Sequence, residues 1–204
     1  LAIISDDGSM FGEEYTLVAV ADYYLSKKPG NTVSNLSSSR ALRDVTSRHG
    51  GEYHASAVGE VNVVKAMKEN NAVIGGEGNG GVIVPELHYG RDALAGIALF
   101  LSLMAEKGIK VSELRKQYPA YFISKNKIAL NPDTDVDNIL NTMKSAFPDA
   151  KVNTTDGVKF DWNDGWVHLR KSNTEPIIRV YAEAGSTDKA NEMANSVIGK
   201  IRDL

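Results

Sequence analysis

Strand-length apolar segments alternate with helix-length amphipathic segments along the first half of the chain. This alternation favours parallel strands, because parallel neighbours need a long crossover connection, which a helix usually provides. It predicts an α/β domain over residues 1–108, with a helix-covered, mostly parallel sheet. The predicted strands are Leu1–Ile4, Thr32–Leu36, Glu52–Ala55 and Ala72–Ile74, and the predicted helices are Gly12–Leu25, Ser38–His49 and Gly59–Asn70.

A different pattern begins after Lys107-Gly108, where predicted strands follow one another between two helices. Successive strands joined by Asp-Gly turns favour antiparallel pairing. We therefore predict an α+β domain over residues 109–204, with an antiparallel sheet and flanking helices, entered through a linker helix at Val111–Tyr118. The predicted strands are Tyr121–Leu130, Val152–Phe160, Trp166–Arg170 and Ile177–Ala184, and the predicted helices are Thr134–Phe147 and Ser186–Arg202.

Charge and composition exclude several classes of partner. The chain has 23 basic and 26 acidic residues, a net charge of −3 and no basic run, so we expect neither nucleic acid nor a membrane surface as a partner. The absence of cysteine excludes disulfides and thiolate metal sites, and it favours a cytoplasmic location. The apolar run Ala95–Ala105 is far shorter than the roughly 20 residues of a membrane helix, so we expect a buried helix there.

The segment Gly75–Gly81, GGEGNGG, contains a match to the dinucleotide pattern G-x-G-x-x-G. That pattern works only when a strand precedes it and a helix opens directly after it, facing the pyrophosphate. Here Val82–Pro85 is again extended, and the next helix is predicted near Arg91-Asp92, with Asp92 as a plausible N-cap. The sequence therefore disfavours a dinucleotide-dependent oxidoreductase.

Two groups of potential metal ligands have simpler explanations. Asp133–Asp137 has the alternating carboxylates of a calcium loop, but Asn138 and Lys144 stand where such a loop needs Gly and Glu. We interpret these acids as helix caps and predict no metal site. The histidines, which are His49, His54, His88 and His168, show no pairing at ligand spacing. His88 is a candidate substrate contact, because it lies near Arg91 in a polar segment just after the glycines.

The segment Arg170–Pro176, RKSNTEP, lies between two predicted strands and is followed by Arg179. A loop that offers a guanidinium, two hydroxyls, an amide and free backbone N–H groups meets the needs of a phosphate dianion. A plain polar hairpin turn is the alternative, and Glu175 is compatible with it. Glu175 can also point away from a phosphate and pair with Arg179.

These segments resemble the phosphohexomutase superfamily, which interconverts hexose 1-phosphates and 6-phosphates. RKSNTEPIIRVY (Arg170–Tyr181) resembles the phosphate-binding loop of that family's fourth domain, and GGEGNGG resembles the sugar-binding loop of its third. The two motifs occur in the family's order. The segment Leu1–Leu25 also resembles the strand and helix that follow the family's metal loop, so the resemblance covers nearly the whole chain.

The resemblance implies a role for each motif. It assigns sugar binding to Glu77, Asn79, His88 and Arg91, and binding of the non-reacting phosphate to Arg170, Ser172, Asn173, Thr174 and Arg179. Many members carry histidine where this chain has Gly81, and that histidine is often given a role near the transferred proton. In this chain the role is either vacant or taken by a neighbour such as His88. The GEGNGG form is similar to the branch of phosphoglucosamine and archaeal-type mutases, although phosphoglucomutase and phosphomannomutase remain open.

The family's phosphoserine loop and the loop that binds its Mg²⁺ have no counterpart in context here. By resemblance, the full enzyme transfers phosphate between C1 and C6 through a phosphoserine and a hexose bisphosphate. We therefore expect this chain, which begins at Leu1, to be the C-terminal half of such an enzyme, with no catalytic residue and no activity of its own. Its partners would be the hexose phosphate and the N-terminal domains, and Mg²⁺ would be a cofactor of the full-length protein. A noncatalytic phosphosugar-binding module is the alternative.

Overall fold

The computed structural model describes residues 1–131, 134–172 and 175–204. The chain divides into two compact units, Leu1–Pro119 and Ala120–Leu204. The sequence placed a boundary after Gly108, whereas the structure keeps the following short helix in the first unit. The reason is a contact between residues far apart in sequence: the backbone N–H and hydroxyl of Ser112 donate to Asp6 at 2.9 and 3.1 Å.

The first unit is built on a four-stranded sheet in the order β2-β1-β3-β4. Strand β1 is parallel to both β2 and β3, and only β4 is antiparallel, which confirms the predicted mostly parallel sheet with helices. In chain order the elements are α1 Glu13–Lys27, β1 Asn31–Asn35, α2 Ala41–Arg48, β2 Tyr53–Ser56, α3 Glu60–Glu69, β3 Ala72–Glu77, β4 Gly81–Ile83, α4 Ala93–Lys107 and α5 Val111–Arg115.

Helical spacing of apolar residues explains how α3 attaches to the sheet. Val63 and Met67 are four residues apart and therefore share one helix face, and both are fully buried. They pack with Val33 of β1, Ala72 of β3 and Ile83 of β4. This contact fixes the helix across the strands that lead into the glycine segment.

The predicted strand Leu1–Ile4 is wrong. The segment forms only an isolated antiparallel bridge between Ile4 and Met10. A tight turn, closed by a hydrogen bond from Gly8 N to Ser5 O at 3.0 Å, returns the chain at once upon itself. The segment therefore pairs locally and does not join the sheet.

The apolar run Ala95–Ala105 does form a helix, as predicted, but α4 is not buried on all sides. Phe100 and Leu103 lie in the core, whereas Leu94, Ile97 and Leu101 are 78%, 39% and 60% exposed. Composition alone could not distinguish these faces. Within the described part of the chain, none of the helices combines the length and apolarity that a membrane crossing requires.

The second unit contains a five-stranded antiparallel sheet in the order β5-β9-β8-β7-β6, which confirms the predicted α+β architecture. The predicted strand Val152–Phe160 is in fact a hairpin of two strands. Gly157, in the turn, has φ +66°, a backbone conformation that interrupts a strand. The elements are β5 Phe122–Ala129, α6 Val136–Met143, β6 Lys151–Asn153, β7 Val158–Asp161, β8 Gly165–Lys171, β9 Ile177–Ala184 and α7 Thr187–Arg202.

Helices α6 and α7 cover one face of this sheet. Leu140 of α6 and Val197 of α7 pack with Leu169, Ile178 and other buried strand residues. Side chains alternate between faces along a strand, so the neighbours of these core residues point to the opposite face. Asp135 caps α6 by accepting a hydrogen bond from Asn138 N at 3.0 Å, which confirms the cap interpretation for that residue; Asp133 lies outside the described residues.

Candidate functional site

The glycine segment forms a β-hairpin, which we call the glycine hairpin (residues 75–83). Strand β3 continues to Glu77, and β4 returns antiparallel to it, with Gly76 opposite Val82 and Glu77 opposite Gly81. A Cβ at Gly76 would overlap the backbone carbonyl oxygen of Gly81, so the close approach of the two strands requires glycine at position 76. Strand β3 ends at Glu77, three residues beyond the end of the predicted strand Ala72–Ile74.

No helix N-terminus belongs to the glycine hairpin, because the chain continues from β4 to α4, which begins at Ala93. Asp92 caps that helix, its carboxylate accepting a hydrogen bond from Ala95 N at 2.9 Å, as predicted. The pKa of Asp92 is lowered mainly by this backbone hydrogen bond and next by the His88 side chain. The arrangement lacks the strand-loop-helix geometry of a dinucleotide site.

Glu77 projects from the end of β3 and is only 7% exposed. Its Oε1 accepts hydrogen bonds from Asn35 Nδ2 at 2.9 Å and from Gly59 N at 3.2 Å. Its Oε2 lies 3.9 Å from Arg91 Nη1. A buried carboxylate needs such partners, and here they hold Glu77 in one position with its second oxygen towards Arg91.

Arg91 fills the space beside Gly81. A Cβ at Gly81 would lie 2.7 Å from Arg91 Cδ. The backbone N and Nε of Arg91 donate to Glu60 at 3.1 and 2.8 Å, and these two hydrogen bonds lower the pKa of Glu60. The side chain that stands next to Gly81 is therefore an arginine fixed by a carboxylate.

His88 has a different environment from the one expected for a replacement of the family histidine. Its Nε2 lies 3.1 Å from Asp92 Oδ2, and its side chain is more than half exposed. The structure thus places His88 at the N-terminus of α4, whereas Arg91 occupies the space beside Gly81.

Asn79 lies at the exposed tip of the glycine hairpin. Its Oδ1 accepts a hydrogen bond from Gly81 N at 3.1 Å, which closes the turn in the way typical of Asn side chains. Asn79, Gly81, Glu60 and Arg91 line a cavity of about 330 Å³, within the usual size range of small-molecule sites.

Several polar residues around the glycine hairpin escaped the sequence analysis. Gly78 N donates to Ser38 Oγ at 3.0 Å, and Ser39 N donates to Glu14 at 2.8 Å. Asn35 is the last residue of β1 and Ser38 follows that strand, so both lie at the carboxyl edge of parallel strands, where ligands of α/β proteins bind. The polar residues Ser37–Arg40, which follow a buried strand, are the signal that could have identified this set.

In the second unit, the Arg170–Pro176 loop joins β8 to β9. Arg170 lies directly opposite Arg179 on the neighbouring strand. Ser172 is buried, and its N donates to Ile177 O at 3.1 Å, closing the base of the loop. Asn173 and Thr174, which the sequence assigned to phosphate binding, lie outside the described residues.

Charged neighbours of this loop lie on both faces of the sheet. Lys171 points to the helical face, where its Nζ lies 2.9 Å from Asp137 Oδ2 of α6. Glu175 Oε2 lies 3.7 Å from Arg179 Nη2, the pairing considered from sequence. Arg170 and Arg179 therefore share the face opposite the helices, and Lys171 does not.

His168 lies on the same face as Arg170, two residues earlier on β8. Burial lowers its pKa to about 4, and the positive charges of Lys159 and Arg170 act in the same direction, against the opposing effect of Asp156. Its Nε2 lies 2.6 Å from the Asp156 carbonyl oxygen. The folded protein therefore holds this imidazole in its neutral form.

We expect this pKa to make stability depend on pH. Since the folded pKa is below the ordinary value of 6.5, the unfolded state binds a proton first, and stability present above pH 6.5 is lost as the pH falls towards 4. The loss should reach up to about 3 kcal/mol. Urea unfolding should be followed by tryptophan fluorescence, because both tryptophans lie in the second unit. His168→Gln should flatten the profile over this range; equal slopes in both proteins would contradict the assignment.

The described residues, 1–131, 134–172 and 175–204, contain no cluster of three or more His, Cys, Asp or Glu side chains that could bind a metal ion. The magnesium that the resemblance implies therefore has no fitting set of ligands among these residues.

Comparison with known proteins identifies the family. Residues 12–121 match the family model for the phosphoglucomutase/phosphomannomutase alpha/beta/alpha domain III, and residues 134–200 match the model for the C-terminal domain of the same proteins. The chain belongs to the phosphoglucomutase/phosphomannomutase family. The resemblance found from the glycine hairpin and the Arg170–Pro176 loop is thereby confirmed.

Curated relatives of this chain include proteins of two organisms. It is 37% identical to a phosphoglucomutase/phosphomannomutase of Thermococcus kodakarensis over 93% of this chain and 42% of the relative. It is 31% identical to a probable phosphoglucosamine mutase of Methanopyrus kandleri over 99% of this chain and 45% of the relative. The chain thus spans less than half the length of these relatives.

Solved structures with the same fold also match this chain. A family protein of Burkholderia thailandensis matches with a TM-score of 0.81 at 23% identity, over 98% of this chain and 43% of that one. An N-acetylphosphoglucosamine mutase of Aspergillus fumigatus, solved with GlcNAc-6P and magnesium, matches with a TM-score of 0.62 at 15% identity, over 96% of this chain and 48% of that one. At these identities the comparison supports the fold alone.

Proposed function

We propose that these 204 residues are the sugar-binding and phosphate-binding part of a phosphohexomutase. The longer enzyme would move phosphate between C1 and C6 of a hexose phosphate through a phosphoserine and a bisphosphate intermediate. The observation that carries the proposal is the opposed pair Arg170 and Arg179 at the base of a loop in a chain of this family. Phosphoryl transfer depends mainly on positioning and charge stabilisation, so a binding half contributes directly to the rate.

The phosphate that does not react would bind at the Arg170–Pro176 loop. Arginine offers paired N–H donors in a planar fork that matches two phosphate oxygens. Ser172 adds a hydroxyl at the loop base, and we assign Asn173 and Thr174 to the same site on the resemblance. A group that binds phosphate at either end of the sugar would let one enzyme accept both orientations of its substrate.

The sugar would bind at the glycine hairpin. Glu77 is held by Asn35 and Gly59 through one carboxylate oxygen, and its other oxygen, 3.9 Å from Arg91 Nη1, would accept hydrogen bonds from sugar hydroxyls. Asn79 lies at the exposed tip of the hairpin. Arg91, beside Gly81, would take the place of the family histidine as a positive group near the sugar. His88, three residues earlier in the same segment, would be a further contact of the sugar.

The names of the relatives support a substrate class. Their names include phosphoglucomutase/phosphomannomutase and probable phosphoglucosamine mutase, and we propose one of these activities for the longer enzyme. Initial rates of the full-length protein with glucose, mannose, glucosamine and N-acetylglucosamine phosphates would distinguish them. Hydroxyl discrimination depends on hydrogen bonds that a wrong epimer leaves unmade.

Cofactor and location belong to the same proposal. Magnesium would be bound by a part of the enzyme other than the residues described. The N-terminal domains of the family would be the partners of this part. The lack of cysteine supports a cytoplasmic location.

Glu77→Gln tests the sugar role directly. The substitution keeps the size of the side chain and removes its charge, so the affinity for glucose 1-phosphate should fall about tenfold, the loss of roughly one charge-assisted hydrogen bond. The affinity for inorganic phosphate, which has no hydroxyls to present, should stay unchanged. Isothermal titration calorimetry with both ligands measures the difference.

A matched control is Glu69→Gln, which removes the charge of an exposed glutamate on α3 that lies 3.9 Å from Lys65. It should leave both affinities unchanged. If Glu77→Gln lowered the two affinities equally, or neither, a sugar-binding role for Glu77 would be excluded. Thermal unfolding of each variant shows whether the protein titrated is folded.

A further inference from the structure

Three basic residues lie side by side on three neighbouring strands of the second unit. Lys127 of β5 is directly opposite Arg179 of β9, and Arg179 is directly opposite Arg170 of β8. Directly opposite residues of antiparallel strands have Cβ atoms about 4.5–5.5 Å apart and share a face. We call Lys127, Arg179 and Arg170 the cationic row.

The cationic row lies on the face of the sheet opposite α6 and α7. The sequence neighbours Ile128, Ile178 and Leu169 pack against the helices. Alternation along each strand therefore turns the three basic side chains the other way. They project together and away from the apolar core.

The row also lies at the end of the sheet that carries the Arg170–Pro176 loop. Arg170 precedes the loop on β8, and Arg179 follows it on β9. Strand β5 ends beside the loop, since Leu130 N donates to Pro176 O at 3.0 Å. Lys127, although about 40 residues away in sequence, is therefore a spatial neighbour of the loop's two arginines.

The cationic row carries an excess of positive charge, which favours binding of an anion. Like charges on directly opposite residues destabilise a sheet. Within the described residues, Glu175, 3.7 Å from Arg179, is the one carboxylate that forms an ion pair with any of the three. That single negative charge leaves an excess of positive charge on this patch. A phosphate dianion would remove the excess, because it carries nearly two charges at neutral pH and offers three acceptor oxygens.

We propose that Lys127 is a third cation of the phosphate site, acting with Arg170 and Arg179. The inference rests on the proposed function of the Arg170–Pro176 loop and adds a residue from outside that motif. Lysine is suited to this position because its ammonium is a flexible point charge, which can follow a phosphate that the arginines hold by geometry. A lysine on an edge strand can instead serve only to prevent aggregation through that edge, and the two roles predict different results.

Lys127→Gln should lower the affinity of the chain for inorganic phosphate about three- to tenfold at low ionic strength, because one charge-assisted contact is lost. The dependence of affinity on salt concentration should become less steep, since fewer charges take part. Without ligand, the Tm should stay the same or rise, because the substitution relieves like-charge repulsion. Calorimetric titration and thermal unfolding, each with and without phosphate, measure these quantities.

Two further variants make the result specific. Lys127→Arg keeps the charge and should retain most of the phosphate affinity. Lys151→Gln removes an exposed lysine from β6, the opposite edge strand, and should change neither the affinity nor its salt dependence. The titrations are run well below the unfolding temperature, where each variant is folded. The measured phosphate affinity therefore tests the role of Lys127 even if a substitution changes the Tm.

The outcomes separate this inference from the proposed function. If Arg170→Gln weakens phosphate binding and Lys127→Gln does not, Lys127 is only an edge-strand lysine and the inference is overturned, while the loop keeps its proposed role. If neither substitution weakens binding, the proposed phosphate site itself is wrong. If Lys151→Gln weakens binding as much as Lys127→Gln, the effect reflects overall charge, and the inference fails.

Discussion

Arg170→Gln is expected to lower the affinity of this chain for inorganic phosphate and for hexose phosphates by about 30-fold or more. Arg170 is the direct strand partner of Arg179 at the base of the loop, and two planar guanidinium groups can bind one dianion. A hydrogen bond to a charged group contributes about 1.5–3 kcal/mol, and a bidentate contact contains two. Glutamine keeps much of the side-chain length but loses the charge and the fork.

The neighbouring residue provides the control for Arg170→Gln. Lys171→Gln removes the same charge one position away, but Lys171 points to the helical face and pairs with Asp137. It should leave phosphate affinity nearly unchanged. Equal losses for the two variants would show that the sheet face does not matter, and binding of phosphate by Arg170→Gln at the wild-type affinity would remove the assignment.

Gly76→Ala is expected to destabilise the first unit by about 3 kcal/mol or more. The added methyl group would overlap the carbonyl oxygen of Gly81, which belongs to the neighbouring strand β4. A flexible side chain could move aside, but a backbone carbonyl cannot move without breaking the β3–β4 pairing. Overpacking of this kind costs about 1–3 kcal/mol in cores where side chains can adjust, so a fixed backbone places the cost at the upper end.

Urea denaturation followed by far-UV circular dichroism measures the loss, and hydrogen exchange locates it. Backbone amides of β3 and β4 should exchange faster in Gly76→Ala than in the wild type. Gly185→Ala is a suitable control, because its Cβ would have no heavy atom within 4 Å. Unchanged stability of Gly76→Ala would mean that the hairpin is more adaptable than its geometry indicates.

Local patterns in the sequence predicted most of the fold. The alternation of apolar and amphipathic segments identified β1, α2, β2 and α3, because each follows from its own residues. Asp92 and Ser186 were recognisable as helix starts for the same reason, and both accept the expected backbone hydrogen bonds. The Gly76–Gly81 match misleads as a motif, but the extended segment after it was enough to reject a dinucleotide site.

What the sequence could not show depends on residues far apart in the chain. The contact of Glu60 with Arg91 joins residues 31 positions apart, and the pairing of Lys127 with Arg179 depends on strand register. Neither periodicity nor composition contains register information. The exposed apolar stripe of α4 is a similar case, since Leu94 and Phe100 are both apolar and only the tertiary fold distinguishes their environments.

The central claim is that the glycine hairpin binds the hydroxyls of a hexose phosphate and that the Arg170–Pro176 loop binds phosphate. The most direct test is an NMR titration of the uniformly ¹⁵N-labelled chain with glucose 6-phosphate. We predict that amide resonances of Glu77, Asn79 and Gly81 shift, and that those of Ser172 and Ile177 shift as well. Shifts confined to one of the two groups of residues, or absent from both, would contradict the claim.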